Sequence, residues 1–126
     1  MNLDTSGTLE TLVDTYCQAW SESDPQVRRQ LLARIWAADA TYTDPTVHAA
    51  NGDELLTHIT GLLTQWPGAR IERVSAVDAH HGCLRFSWRL TMADGNALPD
   101  GLDFVDLADD GRIRRVVGFF GPLSPR

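Results

Sequence analysis

The sequence lacks several features that would assign it to a common class of protein. It contains no apolar run long enough to span a membrane, and its start has no apolar segment after basic residues, as a secretory signal peptide would have. Its two cysteines, Cys17 and Cys83, are far apart and have no metal-ligand spacing, so we expect two reduced thiols in or near the core. Together these absences favour a cytoplasmic protein that neither enters nor binds a membrane.

Positive charge is also scarce. The chain has 11 basic and 17 acidic residues, a formal net charge of −6 and a pI of about 5.0. The one basic cluster, Arg112, Arg114 and Arg115, is short and follows Asp109 and Asp110. This charge balance argues against a nucleic-acid partner.

Sequence motifs for cofactors and covalent chemistry are missing as well. The chain has no glycine-rich phosphate loop, and Ser75 and Ser87 have no histidine at the spacing of a nucleophile motif. The adjacent pair His80 and His81 would point to opposite faces of a strand end, which makes a poor metal site. We therefore predict that the protein uses neither a metal nor a cofactor.

What the sequence does contain suits one globular domain. The 126 residues include 43% hydrophobic residues, enough for a core in a single domain that covers residues 1–126. We expect the ends, residues 1–7 and 121–126, to be loose tails.

The first half of the chain shows the three- and four-residue spacing of amphipathic helices. Ser21-Glu22-Ser23 ends the first helix, Asp24-Pro25 begins the second, Asn51 or Asp53 caps the third and Pro67-Gly68 ends it. The apolar positions are Leu9, Leu12, Val13, Tyr16 and Trp20 in the first helix, Val27, Leu31, Leu32, Ile35 and Trp36 in the second, and Leu55, Leu56, Ile59, Leu62, Leu63 and Trp66 in the third.

The rest of the chain reads as strands. The clearest alternation places Leu84, Phe86, Trp88 and Leu90 on one face and Arg85, Ser87 and Arg89 on the other. Further strands are predicted at Ala40 to Thr43, Ile71 to Val77, Leu102 to Leu107 and Ile113 to Phe120. Helices followed by a meander predict an α+β fold, a cone-shaped, curved antiparallel sheet packed on three N-terminal helices. A curved sheet would leave an internal apolar cavity, the usual kind of small-molecule site.

Three polar residues lie within otherwise apolar stretches. Tyr16 is on the apolar face of the first helix, Asp44 ends the first predicted strand before Pro45, and Asp103 lies between Leu102 and Phe104. Burial disfavours the charged form of a carboxyl and raises its pKa. If the three meet in one pocket, they could supply a base and two hydrogen-bond donors.

Three segments carry a family resemblance. They are Tyr16-x-x-Ala19-Trp20, the run Trp36-Ala37-Ala38-Asp39-Ala40-Thr41-Tyr42-Thr43-Asp44-Pro45, and Gly111-Arg112-Ile113 through Phe119-Phe120-Gly121. In these the chain resembles the nuclear-transport-factor-2-like superfamily, which includes ketosteroid isomerases and polyketide cyclases of the SnoaL type.

The resemblance to ketosteroid isomerase implies a role for each of the three polar residues. Asp44 would be the general base, and Tyr16 with a neutral Asp103 would stabilise an enolate oxygen. In ketosteroid isomerase a raised pKa keeps the second aspartic acid neutral, and no cofactor takes part. Two supporting tyrosines of some members are missing, because Trp36 and Thr60 correspond to them.

We further predict that aromatic side chains line the pocket around a small hydrophobic, carbonyl-bearing or polycyclic ligand. The predicted ligand-binding residues are Trp20, Trp36, Tyr42, His58, Phe86 and Trp88.

Less specific interpretations remain open for the same residues. Asp44 could hold loop amides, Tyr16 could be an ordinary core residue, and His58 could be a rim residue. The protein would then be a non-catalytic ligand-binding or interaction domain. Superfamily members often dimerise through the open sheet face, which predicts a homodimer with Arg85, Arg89, Phe104, Val117 and Phe119 on that face.

Overall fold

A computed structural model describes residues 5–126 of the chain, with side chains described from Gly7 onward. The predicted loose tail at residues 1–7 lies partly outside the described residues, and its last part is helical, since the first helix begins at Thr5. The other end, residues 121–126, has no regular structure.

Three helices precede most of the sheet, as predicted. They are α1 (Thr5–Ser21), α2 (Pro25–Ile35) and α3 (Gly52–Gln65). The side chain of Asp24 caps α2 by accepting from the backbone N–H groups of Gln26 and Val27. Of the two candidates for α3, Asn51 is the cap, because its side chain accepts from the N–H of Glu54.

In the part of the chain that the structure describes, seven strands form one sheet. They are β1 (Trp36–Asp44), β2 (Val47–Ala49), β3 (Arg70–Arg73), β4 (Asp78–His80), β5 (Cys83–Thr91), β6 (Gly101–Leu107) and β7 (Ile113–Phe120). The order across the sheet is β2-β1-β7-β6-β5-β3, and β4 pairs with β5. The predicted α+β class and curved sheet are confirmed, and β7 has the predicted bounds.

The sheet is mixed, however, and not antiparallel throughout. β1 pairs in parallel with β7, with Tyr42 opposite Val116 and Thr43 opposite Val117. All other pairings are antiparallel. Hairpin turns set the direction of the β4-β5 and β6-β7 pairs, whereas no turn joins β1 to β7, so turn signals in the sequence could not indicate that direction.

The first strand region also differs in extent from the prediction. β1 is longer than Ala40–Thr43, and the segment between β1 and α3 contains β2, which folds back so that Asp44 lies opposite Val47. The Asp44 side chain therefore sits at the tight turn between two paired strands.

The buried face of α2 contains Leu31, Leu32 and Ile35, as predicted, and differs from the prediction only at its first position. Val27 is exposed, whereas Arg28 is only 3% exposed. The guanidinium of Arg28 donates to the carbonyls of Glu22 and Ser23 and, over 2.7 Å, to the hydroxyl of Thr60 on α3. These acceptors satisfy the buried cation, which joins the α1–α2 turn to α3. Thr60, which corresponds to a supporting tyrosine of some family members, thus accepts the hydrogen bond that joins this turn to α3.

The core lies between the helices and the concave face of the sheet. Its fully buried members include Val13 on α1, Ile59 on α3, and Ile113 and Val116 on β7. Of the two cysteines, Cys17 is buried as predicted, whereas Cys83 is exposed at the start of β5.

Candidate functional site

A cavity of about 760 Å³ opens between the helices and the sheet. This volume lies within the range of small-molecule sites. Its walls are mainly apolar and aromatic, and the three predicted catalytic residues, Tyr16, Asp44 and Asp103, all line it. The fold therefore brings together side chains from α1, β1 and β6.

Asp103 is a carboxyl buried at the middle of the sheet. It is 4% exposed, and its Oδ1 accepts a 2.8 Å hydrogen bond from the indole N–H of Trp88. Burial raises the pKa of Asp103 to about 7, and the charge of Asp44 adds to this rise while the Trp88 bond opposes it. A substantial fraction of this carboxyl is therefore neutral near pH 7 and can donate a hydrogen bond.

Two glycines leave the space that Asp103 and Trp88 occupy. A Cβ at Gly118, directly across from Asp103 on β7, would lie 2.8 Å from its Oδ1. A Cβ at Gly101, directly across from Trp88, would clash with ring carbons of the indole. The indole thus lies flat against β6 and reaches Asp103, two residues further along that strand.

The Tyr16 ring is held by aromatic neighbours. It stacks on Trp36 with ring centroids 6.3 Å apart and meets Trp20 and Phe86 edge-on, each at 6.4 Å. Its hydroxyl and the indole N–H of Trp20 are both buried without a hydrogen-bond partner among the described residues. An unpaired buried donor is costly, so these two groups are suited to an acceptor atom on a ligand.

The surroundings keep the Tyr16 phenol protonated. Burial raises the pKa of Tyr16 well above its usual value, and the negative charge of Asp103 adds to the rise. The Trp20 indole lowers the pKa in part, although the two groups do not reach hydrogen-bond geometry. Tyr16 is therefore a donor at any physiological pH.

Asp44 is held at both carboxylate oxygens. Oδ1 accepts from the backbone and hydroxyl of Thr46, both at 2.7 Å, and from the N–H of Val47 at 3.1 Å. Oδ2 accepts a 2.6 Å bond from the Tyr42 hydroxyl. Asp44 thus holds the β1–β2 turn and also lines the cavity, so its sequence-based structural and catalytic interpretations are compatible.

Asp103, Asp44 and Tyr42 all lie around one point of the sheet. The position that a Gly118 Cβ would take is near Asp103 Oδ1, 3.6 Å from Asp44 Cβ and 3.7 Å from the Tyr42 hydroxyl. The pKa of Tyr42 is raised by burial and by the charges of Asp103 and Asp44, so this phenol too stays protonated.

Five of the six predicted ligand-binding residues line the cavity: Trp20, Tyr42, His58, Phe86 and Trp88. Trp36 is the exception, because it lies behind the Tyr16 ring and lines a separate, smaller depression beside Gly52. Trp36 directly follows α2, and its side chain lies toward α2 and α3 rather than toward the cavity. The prediction that Trp36 contacts the cavity is therefore wrong, and its role is to support Tyr16.

Some cavity residues were not predicted. Cys17 follows Tyr16 on α1, and burial raises the pKa of its thiol to about 12. Trp66, Leu98 and Phe120 also line the cavity, and each is partly exposed. Phe120 ends the predicted strand Ile113 to Phe120, in which Phe119 is predicted to lie on the open face, so the alternation of side chains along a strand could have placed Phe120 on the cavity side.

Other classes of site find no support in the described residues. Residues 5–126 contain no group of three or more His, Cys, Asp or Glu side chains placed to hold a metal ion. Within the same part of the chain, no helix combines the length and apolar character needed to cross a membrane.

Comparison with known proteins identifies the family. The model of the SnoaL-like domain matches residues 13–116, so the chain belongs to the SnoaL-like family of the NTF2-like fold. No curated protein matches the chain.

Solved structures agree with this assignment. An isomerase candidate of the SnoaL-like family from Agrobacterium tumefaciens C58 is 36% identical, with a TM-score of 0.83 over 89% of this chain and 96% of that one. A SnoaL-like polyketide cyclase candidate from Jannaschia sp. CCS1 is 14% identical, with a TM-score of 0.72 over 94% and 89% of the two chains. An NTF2-like protein of unknown function from Exiguobacterium sp. 255-15 is 15% identical, with a TM-score of 0.71 over 89% and 99%. The latter two show the fold alone.

Proposed function

We propose that this protein binds a small, mainly apolar, carbonyl-bearing molecule and shifts a proton on it without a cofactor. The observation that carries the proposal is the convergence of Asp103, Tyr16 and Asp44 on one apolar cavity. The likeness to an isomerase candidate at 36% identity supports the same class of reaction.

The proposed reaction is the movement of one proton. Asp44 removes a proton from the carbon beside the carbonyl. The electron pair of that C–H bond forms the C=C bond of an enolate, and the π electron pair of the carbonyl moves to its oxygen. Tyr16 and neutral Asp103 donate hydrogen bonds to this oxygen. Asp44 then returns the proton to a carbon further along the conjugated system, so atoms and charge balance. Each such donor in a dry site contributes about 3 kcal/mol to transition-state stabilisation.

Trp20 adds a further donor to this site. Its indole N–H is buried beside the Tyr16 hydroxyl, and both groups have no partner in the described residues. This favours a ligand that presents an acceptor oxygen over a hydrocarbon of the same shape.

The same acid–base groups suit two substrate classes. A β,γ-unsaturated ketone of a flat ring system would be isomerised, whereas a polyketide chain would be deprotonated and close a ring. The aromatic side chains of Trp20, Phe86 and Trp88 offer flat surfaces to either substrate.

One observation favours a second candidate, a ligand-binding protein without catalysis. The hydrogen bonds to both oxygens of Asp44 already use this carboxylate to hold the β1–β2 turn. In that case the cavity would bind the same class of ligand, and Asp44 would be structural.

Two measurements separate these candidates. Quenching of tryptophan fluorescence by a conjugated steroid ketone reports binding, since Trp20 and Trp88 line the cavity. Formation of conjugated ketone from a β,γ-unsaturated 3-ketosteroid, followed by absorbance, reports proton transfer. Binding with turnover supports the isomerase, and binding without turnover supports the binding protein. The absence of both binding and turnover would overturn the proposal for ligands of this shape.

A further inference from the structure

We propose that Trp88 is a positioning residue for Asp103, and that its indole N–H fixes the acid proton of Asp103 on Oδ2, the oxygen left for a ligand. The use of that proton rests on the proposed function, whereas the placement of the proton does not.

The argument begins with hydrogen-bonding capacity. An indole N–H is a donor only, so Asp103 Oδ1 must act as acceptor in the 2.8 Å bond from Trp88. The carbonyl oxygen of a neutral carboxyl is its better acceptor, which leaves the hydroxyl on Oδ2. Oδ2 has no hydrogen-bond partner among the described residues, and Asp103 lines the cavity. The free donor of the neutral acid is therefore available to a ligand.

The packing around Trp88 fixes the orientation of the indole that makes this hydrogen bond. Gly101 lies directly across from Trp88 on β6, where any side chain would collide with the indole. The indole also meets the Phe120 ring edge-on, with centroids 5.8 Å apart and planes at 88°. Contacts with Gly101 and Phe120 thus hold the ring in the orientation that reaches Asp103.

No other described neighbour of Asp103 competes with Trp88 for a hydrogen bond to the carboxyl. The strand residues opposite it are Phe86 and Gly118, neither of which can hydrogen-bond through its side chain. The charge of Asp44 on β1 raises the pKa of Asp103, and the charge of Asp103 in turn raises the pKa values of Tyr42 on β1 and of Tyr16 and Cys17 on α1. None of these groups donates to Asp103, so among the described residues only Trp88 hydrogen-bonds to the carboxyl.

The first test needs no variant and no ligand. In the wild-type protein, the indole ¹H–¹⁵N signal of Trp88 is followed from pH 5 to pH 9. We expect it to move with the same midpoint as the Asp103 carboxyl carbon, near pH 7. The indole signal of Trp66, which is exposed at the cavity edge, serves as the internal control and should stay fixed. A Trp88 signal that does not follow Asp103 would overturn the proposal.

The second test removes the donor. Trp88→Phe keeps an aromatic ring but loses the N–H that favours the charged carboxylate, so the Asp103 midpoint should rise by about one pH unit. Trp66→Phe is the matched control and should leave the midpoint unchanged. An unchanged midpoint in folded Trp88→Phe would contradict the proposal.

Activity distinguishes this proposal from the proposed function. If the wild type turns over the β,γ-unsaturated ketosteroid, its rate should fall at high pH as Asp103 loses its proton. In Trp88→Phe the pH midpoint of this fall should rise by as much as the titration midpoint of Asp103. Without wild-type turnover, the proposed function fails for this substrate, whereas the two titrations still decide whether Trp88 positions Asp103.

Discussion

Asp103 lies directly opposite Gly118, and a single methyl group at position 118 would come within 2.8 Å of its Oδ1. The same methyl would lie 3.6 Å from the Cβ of Asp44. Because residue 118 of β7 is a glycine, there is space at this position for the polar side chains of β1 and β6.

Gly118→Ala should consequently lower stability and disturb the cavity. Displacing the Asp103 carboxyl costs about 1–3 kcal/mol, as for other overpacked cores. The matched control is Gly61→Ala on α3, where a methyl meets nothing within 4 Å, so that better helix propensity should add about 0.5–1 kcal/mol. Urea unfolding measures both variants, and equal effects of the two substitutions would contradict this account of Gly118.

Asp103→Asn should stabilise the protein at neutral and alkaline pH. The folded-state pKa, about 7, is above the unfolded-state value, so folding holds a proton that the unfolded chain releases. Wild-type stability is therefore lost as pH rises from about 4 to about 7, by about 4 kcal/mol in all, and asparagine removes this loss.

Thermal unfolding at several pH values checks this expectation. The gain in stability of Asp103→Asn over wild type should be small near pH 4, grow to pH 7 and stay constant above it. Asparagine can still accept the Trp88 bond, so folding should be preserved. A difference that does not change with pH would show that the carboxyl is not neutral in the folded protein.

The two tyrosines of the site should respond in opposite ways to loss of the hydroxyl. Tyr42→Phe removes the 2.6 Å bond to Asp44 and should cost about 1–3 kcal/mol of unfolding free energy. Tyr16→Phe removes a buried hydroxyl without a partner and should leave stability unchanged or higher. Ligand affinity or turnover, in contrast, should fall in Tyr16→Phe. A large loss of stability in Tyr16→Phe would reveal a partner for this hydroxyl.

The open sheet face remains a predicted dimer contact. Phe104 and Phe119 are 41% and 54% exposed, and their rings pack edge-on with centroids 6.0 Å apart. Arg85 and Arg89 on the same face form ion pairs with Asp78 and Asp100 at its edges. We propose that two copies associate through this face, because burying both rings removes apolar surface from water.

Light scattering at micromolar concentration tests this contact. We expect a dimer for wild type and a monomer for Phe119→Glu. Leu123→Glu changes an equally apolar but 95% exposed residue outside the sheet and should stay dimeric. A monomeric wild type would refute the dimer.

The sequence predicted what depends on local pattern. The alternation through Leu84, Phe86 and Leu90 identified β5, and Asp24-Pro25 located the start of α2. The apolar residues that flank Asp103 in the sequence left its face undecided, and in the structure Asp103 lies on the buried face of β6 with Gly101 and Val105.

What depends on contacts between distant segments could not be predicted. The parallel pairing of β1 with β7, the link from Arg28 to Thr60 and the position of Trp36 behind Tyr16 all arise from packing between distant segments. The Trp88–Asp103 bond likewise needed the register that places Gly101 beneath the indole. Hydrophobic periodicity indicates which face is buried but not which side chain it meets.

The most direct test of the central claim is isomerisation of a β,γ-unsaturated 3-ketosteroid by wild type and by Asp44→Asn. Asparagine can still accept the bonds from Thr46 and Val47, so the turn should fold as before. We predict turnover well above the buffer rate in wild type and about a 10²–10⁴-fold lower rate in the variant. A rate that is equal in the two proteins would contradict the assignment of Asp44 as the base.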